Sequence, residues 1–530
     1  MRRHRAILHQ WRMWLAIVLL PSIALAGGPG LSADDQTPTR GASIGRAIVA
    51  GDHVYFVAYE TANGATLWRT DGTRAGTKMV RDPRPGDAPR AYSRDWFSFE
   101  LDRALGDIAL FVVDDGVNGA ELWRSDGRKQ GTRQLKDIRP GPRGSGPIVL
   151  GVLGERVIIL ANDGRHGSEL WVTDGTRRGT RLLKDIRRGR KGIGLDHAWT
   201  GDDRLWLILN DGTHGYELWV TDGTRAGTRL VRDIRPGRKS SDIWGGAGLL
   251  LPDGSLVFYA DDGAHGEGLW RSDGAEAGTQ LVKDVDPGRD AFQHTICPIS
   301  EDAERFLITM SYDIWVSDGT ADGTQFVSQG PNDAPSTMDI LDCTPAGDGQ
   351  GVYITGSYDF ASGYGVWWSD GTVEGTVEVA RFESAEPPRI HGLTTADGQY
   401  VFVANDRVHG WEPWITDGTP SGTRLLFDIR DGRKGSAHAL IGEAGGLVYF
   451  AANDGVHGTE LWATDGSDSG TRMVRDIHPD GSSVPWPLAT MGDAFYFTAD
   501  DGTHGRELWR TDGTPDGTSM LRDINRRPQK

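Results

Sequence analysis

The chain has 530 residues, including 74 Gly and 19 Trp, and a formal charge of 57 − 74 = −17. That acidic balance excludes a general nucleic-acid binder, which would carry a basic face or a high isoelectric point. Only 2 Cys are present, without metal-ligand or redox spacing, which excludes a cysteine-built metal or redox centre.

In chain order, the first element is a targeting signal. Arg2, Arg3, Arg5 and Arg12 form a basic region, residues 14–20 an apolar run, and Ala24, Leu25 and Ala26 a small-residue cleavage site. The apolar run falls short of the roughly 20 residues that cross a bilayer. The pattern predicts a signal peptide over residues 1–26, cleaved after Ala26, and a secreted or periplasmic protein that does not span the membrane. No Cys follows the site, so no lipoprotein anchor is expected there. Removing four Arg leaves a mature charge of 53 − 74 = −21. Residues 27–40 read as a linker and 526–530 as a short tail.

Between them, residues 41–525 repeat one unit ten times, with its Trp at 68, 123, 171, 219, 270, 315, 367, 414, 462 and 509. A period near 48 residues marks an array in which each copy is one supersecondary unit that cannot bury its apolar faces alone. Residues 438–477 show the unit as four strands. The first starts at 438–441, the second is the β-rich run 447–452, the third is 460–464 and the fourth 471–477. Gly-rich hairpin loops join the second to the third and the third to the fourth, and helix-period segments are absent.

Leu and Trp of the third strand point to opposite faces, so each sheet presents apolar surface to both neighbours. In Asp-Gly-Thr-x-x-Gly-Thr, as at 222–228, the Asp can accept from backbone N–H groups two residues on and the Thr hydroxyls can add local bonds. The expected fold is therefore all-β, a β-propeller of ten four-stranded antiparallel blades. The sixth and seventh copies are the most irregular and the last is among the most regular. Open solenoids instead carry atypical ends, so one closed ring is expected. The alternative is two five-bladed rings joined near residues 288–300.

Cys297 and Cys343 each stand five residues before an acidic turn residue, Asp302 and Asp348, in successive repeats. That predicts first-strand positions in neighbouring units, either cross-linked or as two buried thiols.

The recurrent Glu-Leu-Trp-x-x-Asp-Gly-Thr resembles the ELWxxDGT repeat family of exported bacterial proteins, over essentially all of the mature chain. The resemblance implies a propeller-like fold and export. That family is known by its repeat rather than by an activity, so it offers no catalytic residues. A shorter stretch, Ala161-x-Asp163-x-x-His166-Gly167-x-x-x-Trp171, is similar to the tryptophan-docking motif of quinoprotein propellers. It departs from that motif in His for Thr and in lacking the Lys. It implies blade docking; the adjacent cysteines of a quinone lid are missing. The Asp-box of sialidases also sits on a blade hairpin, but its spacing differs.

Six histidines share one repeat position: His166, His214, His265, His409, His457 and His504. Other copies place Asn63, Asn118 or Ser362 there, always before Gly. Such a ring invites a metal or pH-switch role. Asn and His are enriched at φ > 0, which predicts a tight-turn dipeptide instead. The Asn-Asp-Gly and Asp-Asp-Gly loops lack the acidic ladder of an EF-type site, so no cofactor is expected beyond weak Ca²⁺ binding by exposed loops.

The connections between units carry recurring basic residues: Arg139 and Arg143; Arg187, Arg188, Arg190 and Lys191; Arg235, Arg238 and Lys239; Arg430, Arg433 and Lys434. An interrupted basic collar can take sulfate, phosphate or carboxylate groups. The competing role is charge balance with neighbouring Asp137, Asp185, Asp233 and Asp428. No nucleophile elbow, zinc-protease, phosphate-loop or dinucleotide motif occurs. The expected function is non-enzymatic binding of a protein or anionic glycan partner at the cell envelope. The rivals are a polysaccharide hydrolase or lyase with a site near Tyr312, Asp313, Tyr358 and Asp359, and a purely structural surface protein.

Overall fold

A computed structural model describes residues 43–524 except 61–63, 85–98, 244–247, 286–293, 300–302, 311–312, 329–338, 347–350, 360–362, 385 and 396. The described residues form ten antiparallel four-stranded sheets in simple meander order, with no helix. The blades span residues 43–81, 99–134, 148–184, 194–232, 248–283, 294–328, 339–382, 389–425, 437–475 and 486–522. In blade 9 the first strand runs further than expected (Ala437–Ala444) and the fourth is shorter (Arg472–Arg475). The second and third are Leu447–Asn453 and Thr459–Thr464.

Ten apolar cores hold the blades together, one at each interface. In the third strand of blade 3, Leu170 enters the core shared with blade 4, while Trp171 enters the core shared with blade 2. The alternation of a β-strand produces that split. Burying an indole removes roughly 150–250 Å² from water, which stabilises by about 4–6 kcal/mol at 25 cal/mol per Å². Blades 5 and 6 share a core through Tyr259, Leu269, Phe306 and Ile308. Blades 10 and 1 share another through Tyr496, Leu508, Phe56 and Trp68. Two five-bladed rings would require blade 5 to meet blade 1, so these two interfaces establish a single closed ring.

A polar latch accompanies each of seven interfaces. Lys136, on the strand-four exit of blade 2, donates to the carbonyl of Thr180 in blade 3 at 2.7 Å and stands 5.7 Å over the Trp171 ring. Arg81 treats Thr132 and Trp123 of blade 2 in the same way, at 2.7 and 5.4 Å. First strands approach first strands of neighbouring blades, so they line the axis. Cys297 and Cys343 lie on the first strands of blades 6 and 7 and form a disulfide, with Cα atoms 6.2 Å apart.

Candidate functional site

Because strands alternate in direction, the two ends of the ring have different inventories. The hairpins between third and fourth strands occupy one end. The hairpins between second and third strands share the other end with the connections that pass from blade to blade.

The first end is built from self-contained turns. In blade 3, Asp174 Oδ1 accepts from the Thr176 amide at 2.9 Å and from its hydroxyl at 2.7 Å. The Gly179 amide donates to Thr176 Oγ1, and the Thr180 hydroxyl to the Thr176 carbonyl. The bond from Thr176 is the main cause that holds the Asp174 carboxyl below its usual range. These bonds close the turn on itself, and the Gly175 carbonyl accepts from Arg124 of blade 2 at 3.0 Å, so the motif builds scaffold.

At the other end, the shared His column has a different cause from the expected one. None of the six histidines has positive φ; in blade 3 that conformation falls on Gly164 (79°) and Gly167 (78°). The imidazole is there for its donor. Asp163 Oδ1 accepts the amides of Arg165 and His166, each at 2.8 Å, and Oδ2 pairs with His166 Nδ1 at 2.7 Å. In blade 2, Asn118 Nδ2 reaches Asp115 Oδ2 at 3.0 Å and does the same work. The column therefore selects a side chain that can place an N–H on the turn Asp. Asn63 and Ser362 lie outside the described residues. Bonding to Asp163 raises the His166 pKa, and bonding to Asp406 raises that of His409. Among the described residues no group of three His, Cys, Asp or Glu is arranged to hold a metal ion.

The Glu of the repeated motif organises the connections. Glu121, fully buried, accepts the amides of Ile138 and Arg139 at 3.2 and 3.1 Å and the Ser145 hydroxyl at 2.7 Å. Glu169 takes the amides of Ile186 and Arg187 in blade 3, and Glu217 that of Ile234 in blade 4. Burial pushes these carboxyls up: Glu169 and Glu412 to about 7, Glu217 to about 8. Asp185, Asp428 and Asp233 add to the rise, each turning a buried Oδ1 without a hydrogen-bond partner. Sequence spacing does not single out these Glu, because each acts on backbone 17 or 18 residues away.

The basic residues divide into two groups. The first arginine of a connection turns down onto the next blade: Arg235 Nη1 pairs with Asp261 at 2.7 Å and Arg84 Nη2 with Asp114 at 2.7 Å. Arg139, Arg187 and Arg430 press on the hairpin glycines Gly164, Gly212 and Gly455, where a Cβ would meet Nε at 3.3, 2.6 and 3.2 Å. Those hairpins belong to the next blade, so the first arginine acts as a clamp. The later residues remain outward: Arg143, Arg188, Arg190, Lys191, Arg238, Lys239, Arg433 and Lys434 are exposed, and no described side chain pairs with them. The neighbouring Asp137, Asp185, Asp233 and Asp428 do not form ion pairs with them. Tyr312, and the side chains of Tyr358 and Asp359, lie outside the described residues; Asp313 begins the third strand of blade 6.

No family model and no curated protein matches the chain. Among solved structures it is similar to a dipeptidyl peptidase 4 from Porphyromonas gingivalis, at 12% identity over 91% of this chain and 59% of that one, TM-score 0.37. A puromycin hydrolase gives 18% identity over 68% and 58%, TM-score 0.29. A eukaryotic initiation factor gives 10% over 82% and 95%, TM-score 0.39. The chain spans less than two thirds of the length of the first two. Likeness at that level says nothing about activity.

Proposed function

We propose that this chain is an exported β-propeller of the ELWxxDGT type that binds an anionic glycan at the cell envelope without turning it over. One observation carries the reading. Within a chain of charge −17, exposed and unpaired Arg and Lys recur on one face of the ring, at the connections following blades 2, 3, 4 and 8. Guanidinium groups that are not spent on intramolecular carboxylates are available for bidentate bonds to sulfate or carboxylate. Pairs on successive blades also suit a polymer with repeating charge.

The decisive experiment compares mature wild-type protein with a variant bearing Arg190→Glu, Arg238→Glu and Arg433→Glu on a panel of sulfated, uronic-acid and neutral glycans. Saturable, salt-sensitive binding by the wild type, lost in the variant, supports the reading. Turnover of any glycan in the panel would make the protein an enzyme. Binding that ignores the charge reversal, or an envelope protein retained in place of every glycan, would remove the basic face from the account.

A further inference from the structure

We propose that the innermost strand of blade 4 (Gly194–Thr200) is a sugar-binding subsite inside the channel, where Trp199 and His197 offer ring faces and Asp196 accepts hydroxyl hydrogen bonds. This rests on the glycan reading above and states where the uncharged part of such a ligand is held.

The bulge of this strand carries a carboxylate. Bulges in the first strands of blades 3, 9 and 10 hold Leu150, Ile441 and Leu488, all packed into cores between blades. In blade 4 the bulge comes two residue pairs nearer the start of the strand, a position where blades 7 and 9 also bulge, and here it holds Asp196, so that Asp196 and His197 together oppose the single Ile208. Bulges re-aim side chains and recur beside functional sites. Every residue of this strand is partly exposed, and none is fully buried. Leu195, Ala198 and Trp199 lean on the cores shared with blades 3 and 5 while each keeps part of its surface open.

The two titratable side chains of the strand are unspent. Burial is the only influence that raises the Asp196 carboxyl and the only one that lowers the His197 imidazole; no hydrogen bond or ion pair holds either group. A carboxylate kept partly out of water without a partner costs free energy that a purely structural strand would avoid. The His197 and Trp199 rings are 4.6 Å apart at 55°. The indole is seated by a glycine of the next blade: a Cβ at Gly248 would lie 2.5 Å from Trp199 Cζ2. The phenol of Tyr216 is seated likewise, since a Cβ at Gly194 would lie 2.6 Å from its oxygen.

An aromatic face beside a few polar groups is how sites hold a ring whose faces are C–H and whose edges are hydroxyl. The carboxylate supplies acceptors only, which selects hydroxyl donors. Blade 4 is also entered and left by exposed basic pairs, Arg190 with Lys191 and Arg238 with Lys239. A glycan could hold its charges on those loops while an unsubstituted residue reaches the strand.

The test uses calorimetric titration of the full mature protein with a chondroitin sulfate hexasaccharide, alongside melting temperatures. Trp199→Leu and Asp196→Asn should each weaken binding about tenfold or more, as expected for loss of a stacking face or of a bond to a charged acceptor, with the melting temperature unchanged in Asp196→Asn and lowered only slightly in Trp199→Leu, which leans on the core shared with blade 5. His197→Gln should weaken it less, and Trp199→Phe should retain most of it. If Arg190→Glu with Arg238→Glu abolishes binding while Asp196→Asn and Trp199→Leu leave it intact, the subsite is wrong and the basic face stands. A wild-type protein that binds no glycan overturns both. A weakening matched by a fallen melting temperature in Trp199→Leu and not shared by Asp196→Asn would also count against the subsite.

Discussion

Arg522 donates from Nη1 to the carbonyl oxygen of Thr77 at 3.0 Å, across 445 residues of chain. The same guanidinium stands 5.9 Å over the Trp68 ring, so the last strand of blade 10 repeats on blade 1 the latch that Lys136 makes on blade 3. Ring closure thus uses the ordinary interface chemistry rather than a special clasp. Arg522→Ala should cost about 1–3 kcal/mol, the loss of one charge-assisted hydrogen bond and a part-buried cation–π contact. Arg522→Lys should recover part of it, since Lys136 and Lys283 make the latch elsewhere. Urea denaturation of the two variants checks both values; equal stability of all three proteins would show that closure does not depend on the latch.

Among the described residues the Lys or Arg that makes the latch is replaced at three interfaces. By register, Ser328, Ala380 and Phe427 of blades 6, 7 and 8 stand where Lys184 stands in blade 3. Blade 6 also carries Asp313, and blade 7 Gly365, in place of the Glu that ties the connections. The disulfide between Cys297 and Cys343 falls at the 6–7 interface, where neither the Lys or Arg of the latch nor the motif Glu is present. It closes a loop of 46 residues, for which chain entropy gives about 4 kcal/mol of stabilisation. The double variant Cys297→Ser, Cys343→Ser should lose stability of that order. Limited proteolysis should then cut first within blades 6 and 7, and first cuts elsewhere would show that the disulfide is not what holds this interface.

The contrast between these interfaces shows what the amino-acid sequence reveals by itself. Turn chemistry is local, so Asp174, Thr176 and Gly179 can be assigned to one hairpin from spacing alone. The faces of Leu170 and Trp171 follow from strand alternation. The latch from Lys136 to Thr180 spans 44 residues, which in a repeat says only that one blade touches another. Its chemistry needs the ring order and the distance between neighbouring fourth and third strands. The basic collar is only half legible for a related reason: Arg139 and Arg143 look alike in sequence, and only the next blade's hairpin separates a clamp from a free charge. Asp196 gives no motif at all, because a bulge is invisible until strands are paired.

Stability should depend on pH in a defined direction. Glu217 is pushed up to about 8, and Glu169 and Glu412 to about 7, from a usual 4.5. A raised carboxyl binds more protons in the folded than in the unfolded chain, so stability is lost as pH rises from about 4.5 through the folded values. His166 and His409 are also raised, and their contribution fades in the same sense above about 6.5. Asp163 and Asp406 are lowered, and what they contribute is lost only as pH falls below about 4. Melting temperature should therefore peak at about pH 4.5 and decline from there towards about pH 8, more steeply above about 6.5 where the histidines join. Glu217→Gln keeps an acceptor for the Ile234 amide while removing the charge, so it should flatten the decline and raise the melting temperature at the alkaline end of that range. A decline as steep as in the wild type would mean that Glu217 is ionised without penalty.

The His column offers a sharper discrimination between scaffold and site. Asn118 bonds Asp115 at 3.0 Å as His166 bonds Asp163 at 2.7 Å, so the repeat itself contains the substitution that preserves the turn. His166→Asn should leave melting temperature and ligand binding unchanged. His166→Ala removes the donor from Asp163 Oδ2 and should lower melting temperature slightly, an effect that disappears when Asp163→Asn is already in place. A metal or proton-switch role predicts the opposite order, because Asn cannot replace an imidazole that binds a cation or titrates near neutrality. Loss of glycan binding in His166→Asn at unchanged stability would give these histidines a functional role; full retention assigns them to the hairpin.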